Sequence, residues 1–551
     1  MDSVLQSLLW KEWHERKRTF FVCLAWILSG LIYVVIYESV LGYRTPVSRF
    51  SIVCIVYSLF MTVFLAMRVC LSEVTHQSLS FSSTLPVSLH RIAAVRLLFA
   101  IFTLVGPVLL GAFILAVLLI CGVLQQVPPS AVSLGSGRSI VNIPGVVGTL
   151  RPSLAAIPAV GLLGKVICIV VIQIIASFMA MVVIGVRCRR ESHVGFLGAI
   201  IAFLWIPLTA VRVMIQSAGF TQIGNWIGIF VPHSLALFSS YGDTRGIYHD
   251  IDIANWVWIP LILNLVILFW LGFWFTRRYG TRKTFVSYGK KRWWNLPPLF
   301  SWISFPHRGQ TSSLIWINLR QSVPLVVTGF VLACLVALMT VFSESTPEKV
   351  MEMTAYSLPS TMWVLGILWA TVVGSGVFAA ELAPDLGHFW ISRPISINRW
   401  FWFKYFVGLF TVLLVLDGTT ILVSWNSLQN ISSQTTFYNT NFLSWSYIVC
   451  YPVLHSMMYS LAVLGVCWWK KPVRGAVVAL SFFFIGSMVM ESIPTISDYD
   501  PIFVYNNLFT AERGGKFNLA NKHFPLVYGM VSVITLFTAY LASKKIQRLE
   551  E

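Results

Sequence analysis

The sequence predicts an all-α polytopic membrane protein with about 12 transmembrane helices in two parallel six-helix repeats. Of its 551 residues, 57% are hydrophobic and only 11% are charged, against about 45–50% and about 25% in soluble domains. The mean hydropathy is +0.77, and the apolar residues come in blocks of roughly the 20 residues that cross a bilayer. These values exclude a soluble enzyme, a disordered chain and a disulfide-rich secreted domain.

The apolar runs that would form the spans fall into two sets of six. The connectors between them are too short to form an independent domain. Because six runs lie on each side of residue 290, we predict two domains, 1–290 and 291–551. The first set lies near 20–41, 50–72, 96–124, 161–186, 194–215 and 254–276. The second set lies near 323–342, 360–380, 400–424, 444–467, 475–493 and 525–543.

The charges are distributed as in a protein that crosses a membrane. The net charge is +18, and most of the 39 Lys and Arg residues lie in alternate connectors, which include both terminal segments. Because positive residues concentrate in cytoplasmic loops, both termini are predicted to be cytoplasmic, and no nucleic-acid partner is expected. The nine cysteines show no metal-ligand spacing, so no metal, cofactor or disulfide is predicted.

An internal repeat is visible in the connectors after the second and eighth spans. Residues 73–91 and 381–399 match at five of nineteen positions without a gap, and a basic residue follows five positions later in each copy, Arg96 and Lys404. Such self-similarity at corresponding positions predicts a tandem duplication. The matched pairs are Glu73 and Glu381, Phe81 and Phe389, Pro86 and Pro394, Ser88 and Ser396, and Arg91 and Arg399.

Each copy of this connector presents residue types in the same order. A carboxylate at the membrane exit precedes a short polar stretch, a Pro that ends it, a Ser suited to capping the next helix, and a basic residue. We expect a short helix parallel to the membrane that accepts force from a cytoplasmic partner. The alternative is a tight loop whose charges are simply solvated.

The first residues of the chain, 2–18, have the pattern of an amphipathic helix. We expect an elbow that lies in the interface plane and leads into the first span. Residues about 310–321 are its counterpart, since Ser7-Leu-Leu-Trp10 resembles Ser313-Leu-Ile-Trp316. The candidate elbow residues are Leu5, Leu8, Leu9, Trp10, Trp13 and Trp316.

A Trp-Lys-Glu elbow, six spans and a Glu…Leu-Pro-Val-Ser…Arg loop between spans 2 and 3 resemble the permeases of type-2 ABC exporters. The resemblance covers each half in turn, so the chain is similar to two such permeases fused. The second copy departs from the pattern at Arg393, before Pro394, and at Ile317-Asn318, after Trp316.

The resemblance implies an alternating-access exporter in a bacterial plasma membrane. Loops 73–91 and 381–399 would be coupling helices that dock on cytoplasmic ATPases, and segments about 216–253 and 494–524 would be re-entrant from the outer side. The chain contains no GxxxxGK[ST] motif, so ATP hydrolysis would belong to separate subunits, two copies per chain, and the chain itself would not be an enzyme.

Asp417 is the clearest ionisable residue inside a predicted span and thus a candidate polar site. Its position 18 residues after Arg399 predicts a solvated place near the outer rim. Two other functions stay open: an ion-coupled secondary transporter, which also has two parallel six-helix halves, and a membrane enzyme or scaffold. The transported substrate is not predicted.

Overall fold

The computed structural model describes residues 2–41, 45–75, 88–126, 156–187, 198, 258–280, 310–342, 350–379, 382, 396–423, 440–509 and 515–548. These residues form helices joined by turns, and no strand occurs among them. Helices satisfy every backbone hydrogen bond internally, which is what a lipid environment requires. The protein is therefore an all-α polytopic membrane protein, as the sequence predicts.

The chain packs as two compact units, Met1–Thr284 and Phe285–Glu551. The helices described in unit 1 are α1 (Asp2–Leu41), α2 (Pro46–Thr75), α3 (Leu89–Ile120), α4 (Ala156–Arg187) and α5 (Trp258–Gly280). Those of unit 2 are α6 (Gln310–Phe342), α7 (Val350–Ala379), α8 (Ile397–Thr411), a π-helical continuation (Val412–Gly418), α9 (Thr440–Trp469), α10 (Pro472–Ser492), α11 (Pro494–Ser497), α12 (Pro501–Phe509) and α13 (Gly515–Gln547).

Ten of the described helices are long and apolar enough to cross a membrane. They coincide with ten of the twelve predicted runs. Helix α5, of 23 residues, covers the sixth run but is not one of the ten. The fifth run, 194–215, lies outside the described residues apart from Gly198.

The same helix pairs are in contact within each unit. In unit 1 these pairs are α1 with α2 and α3, α2 with α4, and α5 with α3 and α4. In unit 2 the pairs are α6 with α7 and α8, α7 with α9, and α13 with α8 and α9. These five helix pairs thus recur at matching places in the two halves of the sequence.

Close helix contacts in unit 2 depend on glycines. A Cβ atom added to Gly465 of α9 would lie 2.7 Å from the Cα and carbonyl oxygen of Gly475 in α10, and one added to Gly475 would lie 2.5 Å from the Val466 nitrogen. Backbone therefore meets backbone where α9 and α10 cross. Small residues permit such an approach between membrane helices.

Candidate functional site

The two predicted coupling loops are only partly covered by the structure. Glu73 belongs to the last turns of α2, and its side chain is outside the description. The other predicted loop residues outside the described ranges are Phe81, Pro86, Glu381, Phe389 and Pro394. What is described is the end of each loop, where the third helix of each unit begins.

Ser88 and Ser396 occupy the N-cap positions of α3 and α8, as the sequence predicts. Both have extended backbone angles, yet neither side chain makes a capping hydrogen bond. Their carbonyl oxygens instead accept hydrogen bonds from the next turn, at 2.9 Å from the Arg91 nitrogen and 3.0 Å from the Trp400 nitrogen. Arg91 and Arg399 are exposed in the first turn of their helices, so both are accessible to a partner.

A buried ionic cluster joins three helices just after the first loop. The Arg96 Nε of α3 donates to the Glu12 Oε1 of α1 at 3.1 Å, and the Arg16 Nε donates to Glu12 Oε2 at 2.9 Å. The second contact of Arg96 is to α5, where its Nη1 donates to the Tyr279 hydroxyl at 2.8 Å. All four side chains are buried. One carboxylate thus lies between two guanidinium groups, which tie α1, α3 and α5 together.

Unit 2 has a weaker version of this cluster at the matching residue, Lys404 of α8. Its ammonium group is buried and donates to the Gln321 Oε1 of α6 at 3.4 Å. It also lies 5.7 Å from the ring centroids of Phe378 and Trp400, within the range of cation–π attraction. The matched basic residues Arg96 and Lys404 therefore both connect the third helix to the first helix of their unit.

A second matched contact joins the start of the third helix to the end of the last. In unit 1 the His90 Nδ1 donates to the Thr276 carbonyl at 2.9 Å. In unit 2 the Ser543 hydroxyl donates to the Asn398 Oδ1 at 3.0 Å. His90 and Asn398 occupy equivalent positions of the repeated loop sequence. In each unit, therefore, the helix that follows the predicted coupling loop is fastened to two other helices at the same end.

Residues 2–18 do not form the separate elbow helix that the sequence predicts. These residues are the first turns of α1, which is continuous over 40 residues, and residues about 310–321 likewise begin the continuous α6. The stretch before Gly30 contains neither Pro nor Gly, the residues at which helices usually break or kink. A continuous helix thus replaces the separate interfacial one.

The buried side chains of this stretch are polar. The buried positions are Glu12, Arg16 and Thr19, whereas Leu9 and Trp10 are 42% and 67% exposed. The polar side chains are turned toward α3 because the Glu12 carboxylate bonds to Arg96 there. Among the remaining elbow residues, Leu8, Trp13 and Trp316 are half-buried, and the Leu5 side chain is outside the description.

Asp417 lies at a buried site in unit 2, and the expectation of a solvated rim residue is wrong. Its side chain is 1% exposed and its Oδ1 is 2.6 Å from the Nδ1 of His455, which is 0% exposed. Asp417 belongs to the π-helical stretch Val412–Gly418 and His455 to α9. Single π-helical turns occur frequently at functional sites. The facing imidazole explains how the carboxylate tolerates burial.

Aromatic side chains lie beside this pair. The His455 ring is 6.2 Å from the Tyr451 ring, whose hydroxyl is 3.1 Å from that of Tyr505 in α12. Tyr505 stacks on Trp363 of α7 with 3.6 Å between ring centroids. Helix α12 belongs to segment 494–524, for which the resemblance implies re-entry from the outer side. In the described part of that segment, two short helices precede α13.

Asp500 anchors the start of α12 from outside the candidate spans. It accepts a hydrogen bond from the Ser487 hydroxyl at 3.0 Å and is 3% exposed. Burial raises the pKa of its carboxyl from 3.8 to about 6, against the lowering effect of the hydrogen bond from Ser487. Within the described ranges, no group of three or more His, Cys, Asp or Glu side chains is arranged to hold a metal ion.

Some of these residues carry a sequence signal that the prediction did not use. His455 is the one His, Asp, Glu, Lys or Arg residue in α9, so it was an intramembrane ionisable candidate together with Asp417. Arg96 and Lys404 were recognised only as a matched pair. Their partners Glu12 and Gln321 are far away in sequence, and no local pattern connects them.

No family model and no curated protein matches this chain. The ten candidate spans, with ionisable side chains buried between them, give it the character of a polytopic membrane protein of the transporter type.

Proposed function

We propose that this chain is the membrane permease of an ATP-driven exporter, two permease repeats fused in one polypeptide and worked by separate ATPase subunits. The observation that carries the proposal is the matched pair of fastenings at the start of α3 and α8. In each unit the helix that emerges from the repeated loop is held by polar contacts to the first and the last helix, through Arg96 and His90 or through Lys404 and Asn398.

These fastenings supply what a coupling loop needs. A force applied to a short loop displaces a helix bundle only if the loop is rigidly joined to several of its helices. The Arg96 guanidinium reaches Glu12 and Tyr279 at once, so a displacement of α3 would carry α1 and α5 with it. The contacts of Lys404 and Asn398 would do the same for α6 and α13.

The charge of the loop ends also suits a partner. Arg91 and Arg399 are exposed beside loops whose other predicted contact residues include Phe81 and Phe389. Arginine and aromatic residues are both enriched in protein-binding surfaces. The proposed partners are cytoplasmic ATP-binding cassette subunits, one on each loop.

The test is a measurement of ATP hydrolysis with and without such subunits. The purified chain alone should hydrolyse no ATP, because its sequence has no phosphate-binding loop. The complex purified from the native membrane should contain two ATPase subunits per chain by native mass spectrometry. Its rate of ATP hydrolysis should change when the complex is moved from detergent into liposomes. Hydrolysis by the isolated chain, or a native complex without an ATPase, would refute the proposal.

One observation favours a second candidate, the ion-coupled secondary transporter. The Asp417 and His455 side chains form a buried carboxylate–imidazole pair within two candidate spans, and such pairs mark ion and proton pathways. The two functions differ in their source of energy. Liposomes loaded with ATP and the ATPase but without an ion gradient should support transport by a permease and not by a secondary transporter.

A further inference from the structure

We propose that Asp417 and His455 form a proton-binding site in the interior of unit 2, and that the folded arrangement holds the pair with one proton and no net charge. This inference is independent of whether ATP or an ion gradient drives transport. It begins with the isolation of the two side chains. Both are buried, their Nδ1 and Oδ1 atoms are 2.6 Å apart, and both belong to candidate membrane spans.

Each member of the pair has a second polar atom with no partner. Asp417 Oδ2 and His455 Nε2 are both buried and have no hydrogen-bonding partner in the described part of the chain. The imidazole edge lies instead against α7, where a Cβ atom on Gly366 would be 2.3 Å from Cε1 and Nε2. The site therefore has two polar atoms that could bind a proton and no room beside the imidazole for a larger ligand.

Among the described residues of the helices around it, no side chain of opposite charge is close enough to balance a deprotonated pair. Along α8 and its π-helical continuation, which carries Asp417, the nearest cation is Lys404. It lies 13 residues earlier, about 20 Å along the helix axis, and its ammonium group bonds to Gln321. The charged residue of α7 is Glu352, 14 residues before Gly366 and about 21 Å away along the axis. Arg320, the charged residue of α6, is exposed.

The other helices packed on α9 bring no charge to the pair either. In α10 and α13 the charged residues stand near the helix ends, and α12 contains none. The titratable group in described contact with His455 is Tyr451, whose ring lies next to the imidazole. The Tyr451 hydroxyl in turn contacts the Tyr505 hydroxyl. Other thiols and phenols on α6, α9 and α13 are Cys334, Cys450, Tyr459, Cys467, Tyr528 and Tyr540.

The net charge of the pair then decides its stability in the membrane. A neutral imidazole beside a carboxylate has a net charge of −1, which is costly to bury without a partner. One added proton gives either an imidazolium with a carboxylate or a neutral imidazole with a carboxylic acid. Both forms have zero net charge.

The experiment counts the protons released when the full chain in nanodiscs is unfolded by detergent at pH 7.5, using an indicator dye in weak buffer. An unfolded histidine, with an ordinary pKa of about 6.5, keeps only about a tenth of a proton at that pH. Unfolding of the wild type should therefore release about 0.9 proton, whereas unfolding of Asp417→Asn should take up about 0.1 proton on its exposed imidazole, a difference of about one proton. Glu491→Gln, which removes an exposed carboxylate of α10, is the control and should match the wild type.

A second comparison decides the matter if Asp417→Asn does not fold, which circular dichroism and gel filtration would show. In His455→Gln the buried carboxyl must keep the proton itself, so unfolding should release about one proton more than unfolding of Asp417→Asn/His455→Gln. The proposal is overturned if the folded members of either comparison release equal numbers of protons.

Discussion

The ionic cluster of unit 1 makes a prediction that can be worked from its charges. Glu12 is the carboxylate between the guanidinium groups of Arg16 and Arg96, so the three groups carry a net charge of +1. Replacing Glu12 with Gln raises that charge to +2 in a buried site. Removing one partner of a buried ion pair costs about 3–5 kcal/mol of unfolding free energy, and we expect Glu12→Gln to lie in that range.

Replacing Arg96 with Met has a smaller expected cost, although it removes more hydrogen bonds. The cluster charge falls to zero, because Glu12 keeps Arg16 at 2.9 Å. The variant loses the Arg96 guanidinium, which donates to Glu12 Oε1 and to the Tyr279 hydroxyl. Leaving such a buried group without its hydrogen bond costs about 1–3 kcal/mol of unfolding free energy. The prediction is thus an order: Glu12→Gln is more destabilising than Arg96→Met by about 2 kcal/mol.

The assay is a denaturant titration of each purified variant in mixed micelles, followed by tryptophan fluorescence. The control is Glu15→Gln, whose partner Lys11 is 3.9 Å away on an exposed face and whose loss should cost about 0–1 kcal/mol. An Arg96→Met variant at least as unstable as Glu12→Gln would refute the charge argument. So would a Glu15→Gln variant as unstable as Glu12→Gln.

Three further predictions concern other parts of the molecule. Because the folded-state pKa of Asp500 is raised to about 6, its carboxyl should raise stability by up to about 3 kcal/mol as the pH falls from 7 to 4. In a pH series of unfolding titrations the rise should be smaller by about that amount in Asp500→Asn. Gly465→Ala should cost about 1–3 kcal/mol by overpacking in the same titration, whereas Gly486→Ala, where a Cβ meets nothing within 4 Å, should not destabilise; equal losses would contradict the packing account. Cysteines placed at Ser80 and Asn430 should be labelled from opposite sides of the membrane, and labelling of both from outside would end the predicted topology.

The helices could be predicted from the sequence because each is a long apolar run, and a membrane admits only closed backbone structures. The polar contacts between helices could not be predicted in the same way. Glu12 and Arg96 are 84 residues apart, and only the packing of α1 against α3 brings them together. The amphipathic pattern of residues 2–18 likewise does not show that Glu12 of this stretch binds Arg96 of a neighbouring helix.

Asp417 shows the same limit. Its distance from Arg399 along the chain suggested a rim position, which assumes that a carboxylate near the end of a span reaches water. His455 on α9, 38 residues away, supplies a partner inside the protein instead. The sequence contains both residues, but their contact depends on how α9 packs against the π-helical stretch, and hydropathy gives no information on that.

The most direct test of the proposed function is the response of the native ATPase complex to single changes in the two loops. The variants are Glu73→Ala, Arg91→Ala, Glu381→Ala and Arg399→Ala, with Glu15→Ala as an exposed control outside the loops. Loss of surface charges should change stability by only about 0–1 kcal/mol, so all five should fold. Binding of the ATPase and ATP-driven transport should fall severalfold in the loop variants and not in the control. Wild-type binding and transport in all four loop variants would contradict the account.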